Sequence, residues 1–256
     1  MKPSTINIII ATISALATVV AAIIYYLTLN ELKKQRENTS RPHLFIDKIY
    51  FNVQGVRKGK YLMPIKWTTE KMNSVILEFT NEIKISEFYL KCYNIGFGTA
   101  TNVSVDFHYD IDLFLSKINE LEKQINENDR IKIEKNNAFI SFSNENSEMP
   151  SRKFGLAVEN NLKHYVTYIL PTNIKNEPVD LKLPSHYLEL LNVYVYYFMT
   201  IENKEELDYS VPEITTKIKY SDINKKLTEE SFTIVTNLNA MSLAGYSGEF
   251  TLHKKE

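Results

Sequence analysis

Hydrophobic residues crowd the start of the chain and then give way to an alternating pattern that recurs nearly to its end. From Pro3 to Asn30 there is no charged side chain, and Ile8 to Leu29 (IIIATISALATVVAAIIYYLTL) is one apolar run. About 20 helical residues cover the ~30 Å hydrocarbon core, so this run is long enough to cross a bilayer once. Its Ile, Val and Leu residues contribute roughly −5 kcal/mol of insertion free energy, which outweighs the few Thr and Ser among them. Lys2 and the small-x-small triplet Ala15-Leu16-Ala17 also fit a cleaved signal peptide. Cleavage there would strand the apolar remainder up to Leu29, so the expectation is an uncleaved anchor. Residues 1–6 are then a short tail and 7–29 the span.

The helix is expected to run on through NELKKQREN, because Glu31, Lys33, Lys34, Gln35 and Arg36 are good helix formers. Pro42 pushes Arg41 out of the α region, so the helix stops near Ser40 and residues 30–41 form a basic juxtamembrane segment.

After Pro42 the period becomes two. Strands are expected at His43 to Val53, Ser74 to Asn81, Glu87 to Asn94, Asn102 to Asp110, Asn137 to Asn144, His164 to Leu170, Asn192 to Thr200, Glu213 to Tyr220 and Glu229 to Val235. So many short strands point to a β-sandwich over residues 42–240, leaving 241–256 as a C-terminal tail. Two helical insertions interrupt it. In DIDLFLSKINELEKQINEN, the residues Ile111, Phe114, Ile118, Leu121 and Ile125 form one apolar stripe. LPSHYLELL reads as a short plug-like helix capped by Ser185.

The most specific local pattern is YLKCYNIGFGTATNVSVDF, in which Gly96 and Gly98 permit positive φ and Asn94 and Asn102 can satisfy turn backbone. Asn94, Gly96, Gly98, Ala100, Asn102, Val103 and Val105 match the N-x-G-x-G-x-A-x-N-V-x-V turn, so residues 88–107 resemble the strand-turn-strand of bacterial immunoglobulin-like sandwich domains of the cell-adhesion-related type. That resemblance implies an Ig-like sandwich and no activity. Taken with the single span, the RPHLFI segment and the EITTKIKYSDINKKLTEESFTI hairpin, the whole chain looks like single-pass membrane proteins of low-GC Gram-positive bacteria. Gly96-Phe97-Gly98 also imitates a dinucleotide fingerprint, but a strand follows it, leaving no helix N-terminus for a pyrophosphate.

Charge orients the span. Lys2 and the α-amino group precede it, whereas Lys33, Lys34, Arg36, Arg41 and Lys48 follow it, so the N-terminus is expected outside and the main domain in the cytoplasm. Tyr25, Tyr26, Lys33, Lys34 and Arg36 are the candidate membrane-anchoring residues. Ala11, Ala15, Ala17, Ala21 and Ala22 with Ser14 and Thr18 line one flank of the span, where a second copy can pack. The net charge of −1 gives no field for nucleic acid, and a single cysteine, Cys92, rules out an internal disulfide framework.

The search for chemistry is negative. The five histidines are scattered without metal-ligand spacing, Cys92 has the strand parity of a core residue, and Ser247 lacks a nucleophile elbow. No cofactor or catalytic residue is expected. The composite expectation is a membrane-anchored cytosolic sandwich that docks a protein partner through the stripe Phe114, Ile118 and Leu121 or the strand face of Tyr194 and Tyr196. Two alternatives remain open: a membrane-proximal enzyme such as a hydrolase, and, with reversed topology, a surface binder of glycan or protein.

Overall fold

A computed structural model describes residues 3–58, 61–70, 85–127, 130–143, 154–158, 163–201, 210–242 and 245–254. Strand accounts for 43% of it and helix for 30%. Helix α1 (Pro3–Thr39) leads into β1 (Leu44–Ile46), β2 (Ile49–Lys58), β3 (Tyr61–Thr68), β4 (Tyr89–Asn94) and β5 (Ala100–His108). There follow α2 (Ile111–Glu122), β6 (Lys132–Lys135), β7 (Phe139–Ser143), β8 (Phe154–Ala157), β9 (Lys163–Ile169) and β10 (Val179–Lys182). The chain closes with α3 (Ser185–Thr200), β11 (Ile214–Ser221), β12 (Leu227–Ser242) and β13 (Gly245–Lys254).

Helix α1 is continuous through the apolar run and the basic segment. Its stretch Ala11–Glu37, with mean hydropathy 1.9, is long and apolar enough to cross a membrane, and its apolar window is not buried by any of the described residues. The Ser40 amide still donates to the Arg36 carbonyl at 2.9 Å, and the helix ends there, two residues before Pro42.

The strands form three antiparallel sheets. Seven of them, in the order β3-β2-β13-β12-β11-β5-β9, curl into a half-barrel. Two smaller sheets, β1-β4-β10 and β6-β7-β8, flank it. Helix α3 fills the concavity, with every residue from Ser185 to Phe198 buried. The Tyr187 hydroxyl meets Thr236 of β12 at 2.8 Å and donates to the Pro212 carbonyl, while the Tyr246 hydroxyl of β13 donates to the Asn192 side chain at 2.8 Å. Helix α2 lies against α3, its Phe114 ring 5.4 Å from Tyr187 and 6.1 Å from Tyr194. The Asp110 side chain caps α2 by accepting the Leu113 amide.

Two sequence expectations fail here. Asn192 to Thr200 is not a strand but the second half of α3. Its Val, Tyr and Phe residues favour strand locally, yet the surrounding walls bury every position of α3 up to Phe198, and that packing outweighs the propensity. Residues 245–254 are not a tail but β13, which pairs with β12 on one side and β2 on the other. The large sheet therefore wraps a helical axle instead of lying on a second sheet of equal size. The expected strand Ser74 to Asn81 lies outside the described residues.

An aromatic cluster closes one side of the core. Phe51 stands 4.9 Å from Trp67 and 4.7 Å from Phe250, with Phe88 and Tyr246 edge-on to it. Gly248 makes this possible: a Cβ there would meet the Phe51 ring at 2.6 Å. Buried polar groups on α3 are matched individually. Glu189 accepts the Ser86 amide at 2.7 Å, and Asn192 donates to the Ser86 hydroxyl at 2.8 Å and to Glu189 at 3.2 Å.

Candidate functional site

The strands nearest the end of α1 define one pole of the domain. Strand β1 leaves this pole, β4 returns to it beside β1, and the turn 95–99 carries the chain from the β1-β4-β10 sheet into β5 of the half-barrel. Strands β9 and β11 run antiparallel to β5, so their ends, and the β11–β12 turn, lie at the same pole. It is here that α1 meets the β domain.

Asn94 is the centre of that junction and is fully buried. Its Oδ1 accepts the backbone amides of His43 and Gly96, each at 3.1 Å. Its Nδ2 donates to the carbonyls of Gly98 at 2.7 Å and Ile169 at 3.0 Å. Both lone pairs and both hydrogens of the amide are thus used, and one side chain ties the chain leaving α1, the glycine turn and the end of β9 together. The backbone reinforces it: the Ile95 amide donates to His43 and the Thr172 amide to Asn94 itself.

The glycines have a different reason from the one expected. Neither Gly96 nor Gly98 has positive φ; in this motif that conformation falls on Asn102, at φ 51°. A Cβ on Gly96 would sit on the Arg41 carbonyl oxygen and 2.5 Å from the His43 nitrogen, and one on Gly98 would sit on the Ser40 carbonyl. The turn is glycine-rich because the backbone leaving α1 lies directly against it.

Beside the junction is a half-open cavity of about 440 Å³ whose lining includes Thr39, Arg41, His43, Phe97, Tyr220 and Glu230. Its size falls in the range of small-molecule sites, and its wall mixes aromatic surface with both signs of charge. The Tyr220 hydroxyl donates to Glu230 at 2.9 Å, with the Pro42 carbonyl 3.4 Å away. Burial first, and the neighbouring Glu230 carboxylate second, hold this phenol protonated well above its ordinary range. Glu230 also faces His43 at 4.0 Å and Lys254 at 3.5 Å. Cys92, in the next layer, has its thiol pushed up to about 12 by burial and then by the Glu230 charge. A thiol so held is unreactive.

Tyr25, Tyr26, Lys33, Lys34 and Arg36 are exposed along α1. Phe114, Ile118 and Leu121 are buried against α3, and Tyr194 and Tyr196 lie on α3 itself. The two faces expected to receive a partner are therefore interior, because each covers the other's helix. Sequence reasoning missed Arg41, His43, Tyr220 and Glu230 as a group. The Tyr220–Pro42 contact joins positions 178 residues apart, and no local pattern announces it.

Elsewhere, the buried His186 ring bonds Tyr109 through Nδ1 and the Val158 carbonyl through Nε2. The carbonyl needs a donor, so Nε2 carries the proton and Nδ1 accepts from Tyr109. Burial lowers the His186 pKa to about 4, the Val158 bond opposing that in part. Among the described residues no group of three or more His, Cys, Asp or Glu side chains is placed to hold a metal ion. Comparison of the chain with protein-family models, with curated proteins and with solved structures returned no match.

Proposed function

We propose that this chain is a membrane-anchored interaction module. Helix α1 crosses the cell membrane once, and the β domain works in the cytoplasm at a fixed attitude to the bilayer, where it engages a protein partner. The observation that carries this reading is the Asn94 junction. A flexible tether needs no buried asparagine joining the end of the anchor to two strands, and contacts with the domain that begin at Ser40, the residue after the helix ends at Thr39, leave little freedom between helix and domain. The cytoplasmic address rests on the excess of cations after the span. The Ig-like kinship rests on residues 88–107 alone, where the turn passes from one sheet to the other as a sandwich corner does.

A reporter fused after Glu256 tests the address. Activity of a cytoplasm-dependent reporter, with protection of the domain from protease added to intact cells, supports the reading. Alkaline phosphatase activity at that position would place the domain outside and favour a surface binder. Extraction by alkaline carbonate would show that α1 does not span.

A further inference from the structure

Three loops project from the pole at which α1 joins the domain, and each ends in exposed apolar side chains. Ile95 and Phe97 are on the β4–β5 turn, Ile174 is on the loop after β9, and Ile223 and Leu227 flank the β11–β12 turn. Among the described residues of the β domain, five large apolar side chains are more than 60% exposed: Phe97, Tyr165, Ile174, Ile223 and Leu227. Four of these five belong to the pole. Single exposed hydrophobics are ordinary on a protein surface, but their concentration at one end is not.

Turn chemistry does not ask for them. The β11–β12 turn is held by Asp222, whose Oδ1 accepts the Asn224 and Lys226 amides, and by Lys225 at φ 61°. Asn, Asp, Gly or Ser would serve at position 223 as well as isoleucine or better. The loop tips also carry cations: Lys225 and Lys226 are exposed on the β11–β12 turn, Arg41 stands at the foot of the helix, and Lys175 pairs with Glu177 at 2.7 Å on its own loop. Apolar tips with Lys225, Lys226 and Arg41 beside them are complementary to an anionic lipid interface.

The spacing is short. From Asn30 to Thr39 the helix rises about 15 Å, and the headgroup layer occupies roughly 5–8 Å of that. The β11–β12 turn follows directly on Tyr220, whose hydroxyl lies against the Pro42 carbonyl, so the turn is at the end of the sheet where the chain leaves α1.

We infer that this pole is a second membrane contact, in which Phe97, Ile174, Ile223 and Leu227 rest in the anionic headgroup layer of the bilayer that α1 crosses. The inference rests on the membrane-anchored reading above. The 440 Å³ cavity lies at the same pole, with Phe97 in its lining.

The test uses the full chain in vesicles of zwitterionic lipid containing about a third phosphatidylglycerol. Because Cys92 is buried and inert, cysteines introduced by Ile223→Cys, Phe97→Cys and Leu113→Cys accept a fluorophore selectively. Leu113 is exposed at the opposite pole. Headgroup-level nitroxide lipid should quench labels at 223 and 97 at least twofold more than the label at 113, and Lys225→Glu with Lys226→Glu should remove most of the difference. Equal quenching at all three positions overturns the inference. So does a signal at 223 that tracks the protein-to-lipid ratio, which would mean a second copy covers the pole. A chain that carbonate strips from the vesicles fails the anchored reading itself; a chain that is retained but unquenched fails only this inference.

Discussion

The side-chain oxygen of Asn94, at the end of β4, accepts the backbone amide of His43 at 3.1 Å, fifty-one residues earlier in the chain. This bond fixes where α1 ends relative to the sheets, and the remaining bonds of the same side chain make its loss costly. Asn94→Ala strands two buried carbonyls and two partly buried amides, which should destabilise the domain by about 2–4 kcal/mol. Asn94→Asp should recover part of that, since its oxygens still serve His43 and Gly96. Chemical denaturation of the detergent-solubilised chain measures both; an alanine variant within about 1 kcal/mol of wild type would remove the junction from the account.

Gly98 and Asn102 respond to opposite substitutions. Gly98→Ala drives a Cβ into the Ser40 carbonyl, a backbone atom that cannot rotate away, and should cost about 1–3 kcal/mol. Asn102→Gly relieves a left-handed residue and should be neutral or stabilising, whereas Asn102→Val should destabilise by about 1–2 kcal/mol. Thermal unfolding of the three variants distinguishes close approach from positive φ as the reason the turn has its composition.

His186 gives the domain an acid sensitivity. Its pKa is lowered to about 4 by burial, against about 6.5 in the unfolded chain, so below pH 6.5 the unfolded state binds the extra proton. Stability is then complete above pH 6.5 and falls as pH drops toward 4, by roughly 3 kcal/mol over that window. The His186 ring protons, followed by NMR, should stay in the neutral position down to about pH 5. A midpoint near 6.5 would mean the ring is solvated.

Cys92 should ignore a thiol reagent at pH 8 in the folded chain and react at once in denaturant, because its pKa is held near 12 in the fold. Stoichiometric labelling of the native protein within minutes would show that β4 opens readily.

What was legible in the sequence was set by local pattern. The apolar run, the helix stop before Pro42, the stripe of α2 and most of the alternating strands follow from periodicity and proline geometry. Helix α3 was misread because VYVYYF satisfies a period of two and a fully buried helix equally well. Its polar residues held the better signal: His186, Glu189 and Asn192 recur at threes, which places them on one face of a helix. The junction was half legible, in that Asn94, Gly96 and Gly98 stood out as a turn. Their partners Ser40, Arg41, His43 and Ile169 come from distant segments, and only the folded chain brings them together.

Strand β13 occupies the middle of the half-barrel, between β2 and β12, and joins two parts of the sheet that have no other pairing with each other among the described strands. Without it the β2–β3 pair and the β12-β11-β5-β9 set would each offer an unpaired edge. Strand β13 is thus the keystone of the sheet, and a change that frees it, such as a side chain at Gly248 driven against Phe51, exposes two edges at once, a state prone to pairing with neighbouring chains.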